Sequence, residues 1–267
     1  MIDVASLHYY PVKACRGTDV HTSWVERMGL GGDRRLMLVT PGGRFLTQRD
    51  HPRLGLVQPL LKEKRLRLSA PDMPDLHLDL SATGQARTVE IWRSRDVKAV
   101  DQGETAARWF STLLGAQVRL VHIAQGYERR ITEKYAFNPD DHTAFADGYP
   151  VLLTSEDSLA NLNTRLETPI RMSRFRPNLV VRGCEPFSED NWRRIRLGEV
   201  ELAVVKPCAR CMVTTIDERT LKPSKEPLMT LNSFRKQPGG VMFGQNLIPL
   251  SEGHIEIGMK VEVLSWR

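Results

Sequence analysis

The chain has 267 residues, of which 41% are hydrophobic and 26% charged, a composition typical of globular proteins. No apolar run approaches the roughly 20 residues that a membrane-spanning helix needs, and no secretory signal opens the chain. We therefore expect a cytoplasmic protein without membrane contact. The formal net charge is +6, but the lysines and arginines are spread along the chain without a nucleic-acid-binding signature, which argues against nucleic acid as a partner.

Short strands dominate the first half of the sequence. Alternating apolar residues predict strands at 4–12, 35–40, 44–49 and 118–123, with further short strands up to residue 100. Between them, apolar residues recur at helical spacing over 101–115, and Gly115 suits the C-terminal cap of a helix. Strands in this part of the chain are therefore expected to outnumber helices.

The second half begins after a polar segment at 124–150, which we predict to be an irregular connection and a domain boundary. A helix is expected just after Thr154 and Ser155, with Asp157 at capping-box spacing. Strands are predicted at 178–183, 194–208 (a hairpin), 212–217 and 254–266 (a second hairpin). No βαβ alternation is apparent, so the pattern predicts an α+β, mostly β architecture with β-barrels.

Cys208 and Cys211 form a CxxC pair in KPCARC, the most unusual segment of the chain. A zinc site needs two more ligands at a fitting spacing, which neither Cys15, Cys184 nor the scattered histidines provide. A thioredoxin-like dithiol needs the pair at the start of a helix, whereas MVTTID (212–217) continues as a β-branched strand. Two buried cysteines that pack as small hydrophobic side chains are the third explanation, and spacing alone does not exclude it.

Six motifs resemble those of the MOSC proteins, which bind the molybdenum cofactor. In chain order they are YPVKACRG (10–17), FADGYPVLL (145–153), FRPNLVV (175–181), KPCARCMVTT (206–215), EPLMTLNSFR (226–235) and FGQNLI (243–248). The resemblance covers nearly the whole chain and is greatest to YcbX-like proteins and the mitochondrial amidoxime-reducing component. It implies an N-terminal MOSC β-barrel domain at 1–123 and a MOSC β-barrel domain with a few helices at 124–267. Residues 1–34 are candidates for packing with the second domain.

The resemblance also implies a molybdenum site with one protein thiolate. It places that metal ligand and catalytic residue at Cys211, with Cys208 as a neighbour. Further positions match cofactor contacts of the family: Lys13, Arg34, Asp147, Gly148, Tyr149, Arg176, Asn178, Arg210 and Asn246. Basic residues among them suit a cofactor that carries a phosphate. Taken singly, each of these basic residues would be explained as part of a surface ion pair.

Three features depart from the family pattern. Ala14 stands where many relatives carry Ser beside the lysine, so we expect one phosphate hydrogen bond to be absent or replaced by a main-chain donor. Asn246 stands where eukaryotic members can have Tyr, so the resemblance does not predict the substrate preference. The sequence shows no cysteines beyond Cys15, Cys184 and the CxxC pair, so we expect no iron–sulfur cluster in this chain.

The implied activity is reduction of N-hydroxylated compounds (amidoximes, hydroxylamines and N-hydroxylated bases), a detoxification reaction. Electrons would come from a separate donor protein, a ferredoxin- or flavin-type reductase. Because Lys13 and Arg34 lie far in sequence from Cys211, we expect the site between the two halves. The alternative from another class is a non-catalytic carrier of molybdenum cofactor or sulfur, and a third is an interaction module that has lost its cofactor.

Overall fold

Strands make up most of the regular structure in the computed structural model, which describes residues 1–80 and 84–267. In chain order the first half contains β1 (Asp3–Tyr9), β2 (Thr18–Val20), β3 (Thr22–Glu26), β4 (Gly29–Leu30), β5 (Leu36–Val39), β6 (Gln58–Lys62), β7 (Arg65–Ser69), β8 (Leu76–Asp79), β9 (Ala86–Ile91), β10 (Ser94–Asp101), α1 (Gly103–Leu114) and β11 (Arg119–Ile123). The second half contains β12 (Arg129–Arg130), β13 (His142–Thr143), β14 (Val151–Ser155), α2 (Glu156–Asn163), β15 (Leu179–Arg182), β16 (Trp192–Leu197), β17 (Val200–Arg210), α3 (Leu228–Phe234), β18 (Lys236–Gln237), β19 (Gly240–Pro249), β20 (Gly253–Glu256) and β21 (Val261–Trp266). The predicted α+β, mostly β class is confirmed.

Helix α1 forms because the apolar residues of its sequence recur every three or four positions. The side chains that it buries include Ala106, Trp109, Phe110 and Leu113. Gly115 has a φ of 65°, the left-handed conformation that ends a helix, and its N–H donates to the Ser111 carbonyl. The helix predicted over 101–115 is therefore present, with Gly115 as its cap.

The largest sheet joins both ends of the chain. Its order is β2-β1-β15-β14-β19-β17-β16-β21, and β18 pairs with β19. Strand β1 pairs antiparallel with β15, where Leu7 lies opposite Leu179. One face of this sheet covers a core that includes fully buried Leu7, Leu179 and Trp192. The N-terminal strand is thus held beside strands that come more than 140 residues later.

A second group of sheets belongs to the first half. One has the order β5-β11-β10-β9 and another the order β6-β7-β8. Their apolar residues pack around α1, with Leu36, Leu66 and Phe110 in one fully buried cluster. This core is separate from the core of the large sheet, because the two clusters share no buried residue.

Strands β14 and β15 run parallel, and α2 lies in the connection between them. The prediction that the chain has no βαβ alternation is therefore wrong at this one position. A connection of this length can cross over the sheet, which parallel pairing requires. Ser155 caps α2, since its hydroxyl oxygen accepts from the N–H groups of Asp157 and Ser158. The predicted helix start is confirmed, and capping occupies those two donors.

The last two strands do not form the predicted hairpin. β20 pairs with β3, whereas β21 pairs with β16 in the large sheet. The residues between them are bound to β1 instead: the Gly258 N–H donates to the Val4 carbonyl at 2.8 Å, and the Val4 N–H donates to the Met259 carbonyl at 3.0 Å. Because the connection bonds to a third strand, its two flanking strands enter different sheets.

The strand predicted at 44–49 is also wrong. Only two isolated bridges form there, Phe45 with Val39 and Arg44 with Glu90. The Thr47 hydroxyl accepts from the Arg49 N–H at 3.1 Å, a local bond that turns the chain. This segment is a turn beside β5, and it brings Gln48 and Arg49 to the candidate site.

Candidate functional site

A cavity of about 180 Å³ lies where the two halves of the sequence meet. All ten residues predicted for the site line it: Lys13, Arg34, Asp147, Gly148, Tyr149, Arg176, Asn178, Arg210, Cys211 and Asn246. We call it the first cavity. The structure therefore brings together residues that are up to 233 positions apart in sequence, while their individual roles remain predictions.

The two cysteines of the CxxC pair differ in their surroundings. Cys208 lies within β17, is partly buried, and its sulfur accepts a hydrogen bond from Nη1 of Arg210 at 2.9 Å. Cys211 follows the last residue of β17, is exposed, and forms no side-chain hydrogen bond with the described part of the chain. The explanation of the pair as two buried hydrophobic side chains is therefore wrong. The unbonded thiol is the one predicted to bind the metal.

The described residues also contain no group of three or more His, Cys, Asp or Glu side chains that could hold a metal ion.

The chain turns sharply after Cys211. Met212–Thr215 form a 3₁₀ turn, so the strand predicted at 212–217 is wrong. Arg174 supplies the physical reason, because its guanidinium donates to the carbonyl of Thr214 at 3.0 Å and also to that of Ile216. These bonds place the carbonyls of Thr214 and Ile216 against a side chain rather than against a neighbouring strand. Arg174 thereby fixes the direction in which the chain leaves Cys211.

Two buried cations hold the segment that precedes Gly148. Lys13 donates to the Phe145 carbonyl at 2.9 Å and pairs with the Asp147 carboxylate. Arg129 donates to the Ala144 carbonyl at 2.7 Å and also to the Ala146 carbonyl. Three consecutive carbonyls are therefore fixed by cationic side chains. These bonds hold the backbone of residues 144–146 beside the first cavity.

Burial and pairing act in opposite directions on these groups. Burial lowers the pKa of Lys13 despite the nearby Asp147 carboxylate. It also lowers the pKa of Arg129 to about 10, with Asp147 opposing the change. For Asp147, desolvation by the surrounding atoms raises the pKa although the side chain is largely exposed, but Lys13 and the Trp92 indole outweigh this effect and the carboxyl stays ionised. The cavity wall thus contains a persistent ion pair.

Arg34 and Arg176 enclose the ring of Tyr10 from two sides. Their guanidinium carbons lie 4.3 and 4.4 Å from the ring centroid. Arg34 also pairs with Asp33 at 2.6 Å and donates to the Asn178 side-chain oxygen at 3.1 Å. The Arg176 guanidinium has no hydrogen bond or ion pair with any described residue. Burial is the main cause that lowers the pKa of Arg176; the nearby Arg34 also lowers it, whereas Tyr10 and Asp33 oppose the change.

The two asparagines support the backbone of the cavity. The Asn178 side chain accepts from the Leu152 N–H at 3.1 Å and donates to the His8 carbonyl at 3.2 Å, which ties β14 to β1. Asn246 in β19 donates to the Lys206 and Pro207 carbonyls of β17, both at 3.3 Å. Asn178 is almost fully buried, so its contacts are mainly structural. Asn246 holds the strand that carries Cys208.

Gly148 and Tyr149 lie at the cavity edge. A Cβ atom built on Gly148 would meet no atom within 4 Å, so the position opens onto free space. Burial is the main cause of a raised pKa at the Tyr149 hydroxyl, which therefore stays protonated and able to donate.

Strained backbone concentrates around this cavity. Four of the nine described non-glycine residues with positive φ line it: Ala14 (68°), Arg34 (48°), Trp92 (53°) and Arg176 (56°). Such conformations cost on the order of 1 kcal/mol or more each and cluster at functional sites. Because the strain coincides with the cavity, it is independent support for a functional role.

Sequence reasoning missed several residues that line the first cavity, among them Arg49 and Trp92. Arg49 lies over the Trp92 ring, with its guanidinium carbon 4.7 Å from the centroid, and forms no ion pair with a described residue. The Trp92 indole donates to the Asp147 carboxylate at 3.0 Å. Neither residue belongs to a motif quoted above, and Arg49 was assigned to a strand. Only the folded chain places them beside the predicted residues.

Comparison with known proteins finds two domains in the same order as the motifs. The profile of the MOSC N-terminal beta barrel domain matches residues 1–117, and that of the MOSC domain matches residues 140–262. Human mitochondrial amidoxime-reducing component 1 is 36% identical over an alignment of 282 residues. The alignment covers 98% of this chain and 82% of the human protein. The chain belongs to the MOSC family. Rat mitochondrial amidoxime reducing component 2 is 38% identical over 244 residues, covering 87% of this MOSC protein and 72% of its relative.

The family resemblance inferred from the six motifs is confirmed by these matches, as is the order of the two MOSC domains. The boundary between residues 123 and 124 stays a prediction. In the described part of this MOSC protein, no helix combines the length and apolar character needed to cross a bilayer. Its relatives carry the word mitochondrial in their names, so the cytoplasmic location also stays a prediction.

Proposed function

We propose that this MOSC protein binds the molybdenum cofactor in the first cavity and reduces N-hydroxylated compounds such as amidoximes. The observation that carries the proposal is the exposed, unbonded thiol of Cys211 in a cavity whose walls hold Lys13, Arg34 and Arg176. The relatives at 36–38% identity, which are named for amidoxime reduction, support the substrate class.

The residues present fit such a cofactor. Nε of Arg210 is buried and has no hydrogen-bond partner in the described chain. The Arg176 guanidinium also forms no hydrogen bond or ion pair with a described residue, and it lies over the Tyr10 ring. Buried donors without partners are rare, and an anionic ligand that accepts from them removes the energetic cost. A pterin with a phosphate group offers acceptors of this kind.

The cofactor, when bound, supplies two-electron redox chemistry at molybdenum, and the chain supplies orientation and charge. Cys211 would contribute a thiolate, a soft ligand that matches a polarisable metal. Arg176 and Arg49 carry the unpaired positive charges that would hold the phosphate. Lys13 retains one free donor, because two of its three are used by Phe145 and Asp147.

Cys208 has a different role in this proposal. Its sulfur accepts from Arg210, whose Nη2 is in turn held by the Phe175 carbonyl at 2.6 Å. This chain of bonds orients the Arg210 side chain between the two cysteines. Cys208 is therefore assigned to positioning, and Cys211 to the metal.

Metal content in matched cysteine variants tests the site. The protein is purified from a host that makes the cofactor, and molybdenum is measured by mass spectrometry. We expect near-stoichiometric metal in the wild type and in Cys208→Ser, and a loss of about tenfold or more in Cys211→Ser. Metal retained in Cys211→Ser but lost in Cys208→Ser would reverse the assignment.

Turnover separates a reductase from a carrier. Loaded protein is mixed with an N-hydroxylated base and a chemically reduced electron donor, and the parent base is measured by chromatography. We expect product from the wild type and none from Cys211→Ser. Loaded protein that reduces no N-hydroxylated compound would favour the non-catalytic carrier.

The proposal requires electrons from a separate protein, a ferredoxin- or flavin-type reductase. Since this chain carries a net charge of +6, an acidic donor would be attracted to it. Activity with such a donor is expected to fall as salt rises, because screening weakens attraction between exposed charges. Activity that does not change with salt would remove the electrostatic part of this proposal.

A further inference from the structure

A second cavity, of about 420 Å³, adjoins the first. The two share four lining residues: Gln48, Arg174, Arg176 and Val213. Its described lining includes five arginines (Arg16, Arg171, Arg174, Arg176 and Arg219) and two carboxylates (Asp19 and Glu218). The arginines exceed the carboxylates of this lining by three. Arg16 and Arg176 belong to the motifs YPVKACRG and FRPNLVV, whereas Arg171, Arg174 and Arg219 lie outside the six motifs.

Neither carboxylate forms an ion pair with an arginine of this cavity, although Arg174 pairs with Asp217 outside the lining at 3.8 Å. Asp19 pairs with His8, with 2.6 Å between the carboxylate oxygen and Nδ1. Glu218 contacts Arg16 through its main-chain carbonyl, which accepts from Nη2 at 3.3 Å. Arg16 is also held by the Gly55 carbonyl at 2.9 Å. Its guanidinium is therefore held by neutral acceptors and forms no ion pair with a described residue.

Arg171 and Arg219 also line this cavity. The side chains of Arg171 and Arg219 form no hydrogen bond or ion pair within the described residues. A solvated basic face is the ordinary explanation of exposed arginines. Here, however, the arginines converge on a concave space, and one of them is pre-positioned. Convergent cationic donors in a cavity are the arrangement that binds a multivalent oxyanion.

Arg176 connects the two cavities. Its guanidinium stacks on Tyr10, which lines only the second cavity, while Arg176 lines both. Stacking leaves the planar N–H edges of a guanidinium available, and its five donors can serve two anions. A ligand in the second cavity would thus share this residue with a cofactor phosphate in the first.

We propose that the second cavity is a binding site for the phosphate group of a small molecule. Arg16, Arg171 and Arg219 form the part of the site that is separate from the first cavity, and Arg176 forms the shared part. Phosphate is favoured because several guanidinium groups can pair with its oxygens simultaneously. The cavity also has room for a group attached to the phosphate. The site does not depend on the proposed reductase activity.

Isothermal titration of inorganic phosphate into the full-length protein tests the site, at constant ionic strength adjusted with sodium chloride. The test variant is Arg171→Gln with Arg219→Gln. Arg49→Gln is the control for the first cavity, and Arg108→Gln, an exposed residue of α1, is the control for loss of charge. We expect the double variant to weaken binding by about tenfold or more, and each control by less than about twofold. Unchanged thermal unfolding would confirm that the variants fold.

Titration with adenosine monophosphate distinguishes the source of the phosphate. Tighter binding than inorganic phosphate would identify a phosphomonoester as the ligand, and equal binding would identify the free ion. The proposal fails if the double variant binds phosphate as well as the wild type does. It also fails if wild-type protein binds no phosphate, or if Arg49→Gln alone abolishes binding, since the ion would then lie in the first cavity. Molybdenum content plays no part in these outcomes, so they are independent of the proposed function.

Discussion

Replacing Glu189 by Gln should change how the stability of the protein depends on pH. Glu189 is fully buried, and its two carboxylate oxygens lie 2.8 and 3.0 Å from the Ser158 hydroxyl. Burial is the main cause that raises the pKa of this carboxyl from 4.5 to about 7, although the Ser158 hydrogen bond opposes it. The folded protein therefore keeps a proton at pH values where the unfolded chain has already lost it.

The sign of the effect follows from this difference. Between pH 4.5 and 7 the folded state binds more protons at Glu189 than the unfolded state does, so the free energy of unfolding falls as pH rises. At about 1.4 kcal/mol for each pH unit, the loss attributable to Glu189 is about 3 kcal/mol and is complete above pH 7. Glu189→Gln keeps the shape and an acceptor for Ser158 but cannot ionise, so this loss should disappear.

Urea denaturation at pH 5, 6, 7 and 8 measures the effect, as the stability difference between variant and wild type. That difference should increase in favour of Glu189→Gln by about 2 to 3 kcal/mol from pH 5 to pH 8. Glu199→Gln, at an exposed position, should show a nearly constant difference. Parallel curves for wild type and Glu189→Gln would refute the reasoning, because they would mean that Glu189 ionises alike in both states.

Three further changes have outcomes that follow from single contacts. Arg129→Met leaves the Ala144 and Ala146 carbonyls without their buried donor. It should lower the free energy of unfolding in urea denaturation by about 2 to 4 kcal/mol and also lower the molybdenum content. Unchanged values of both would mean that Arg129 does not hold this segment. Phe110→Ala in the fully buried cluster around α1 should cost about 3 to 5 kcal/mol, whereas a cost below about 1 kcal/mol would show that the core refills. Ser155→Ala removes the cap of α2 and should lower stability by about 1 kcal/mol, and a stability unchanged by the substitution would show that water replaces the cap.

Local features were predictable from the sequence. The spacing of Ala106, Phe110 and Leu113 predicted α1, since a helix places residues three or four apart on one face. The start of α2 just after Thr154 and Ser155 was also predicted, but the cap is Ser155 and not Thr154, which the capping-box spacing to Asp157 had indicated. The predicted members of the candidate site came from a different source, the family motifs, which associate residues that no local rule connects.

The errors occurred where a distant group decided the local conformation. Val213, Thr214 and Thr215 have high strand propensity, yet they form a turn because Arg174 takes the carbonyls that a strand would use. The segment between β20 and β21 was expected to close a hairpin, but its N–H and C=O groups bond to β1. Propensity contributes only tenths of a kcal/mol per residue, and a few such bonds override it.

The sequence by itself determined the α+β, mostly β class and helix α1. Through its motifs it also indicated the MOSC family and ten of the residues that line the first cavity. The tertiary structure alone decided that Cys211 rather than Cys208 has the unbonded thiol, that Arg49 and Trp92 join the cavity, and that a second basic cavity lies beside it. The burial and the hydrogen bonds of a side chain depend on which chain segments pack beside it. Contacts between residues far apart in sequence decide this packing, and local sequence patterns do not encode those contacts.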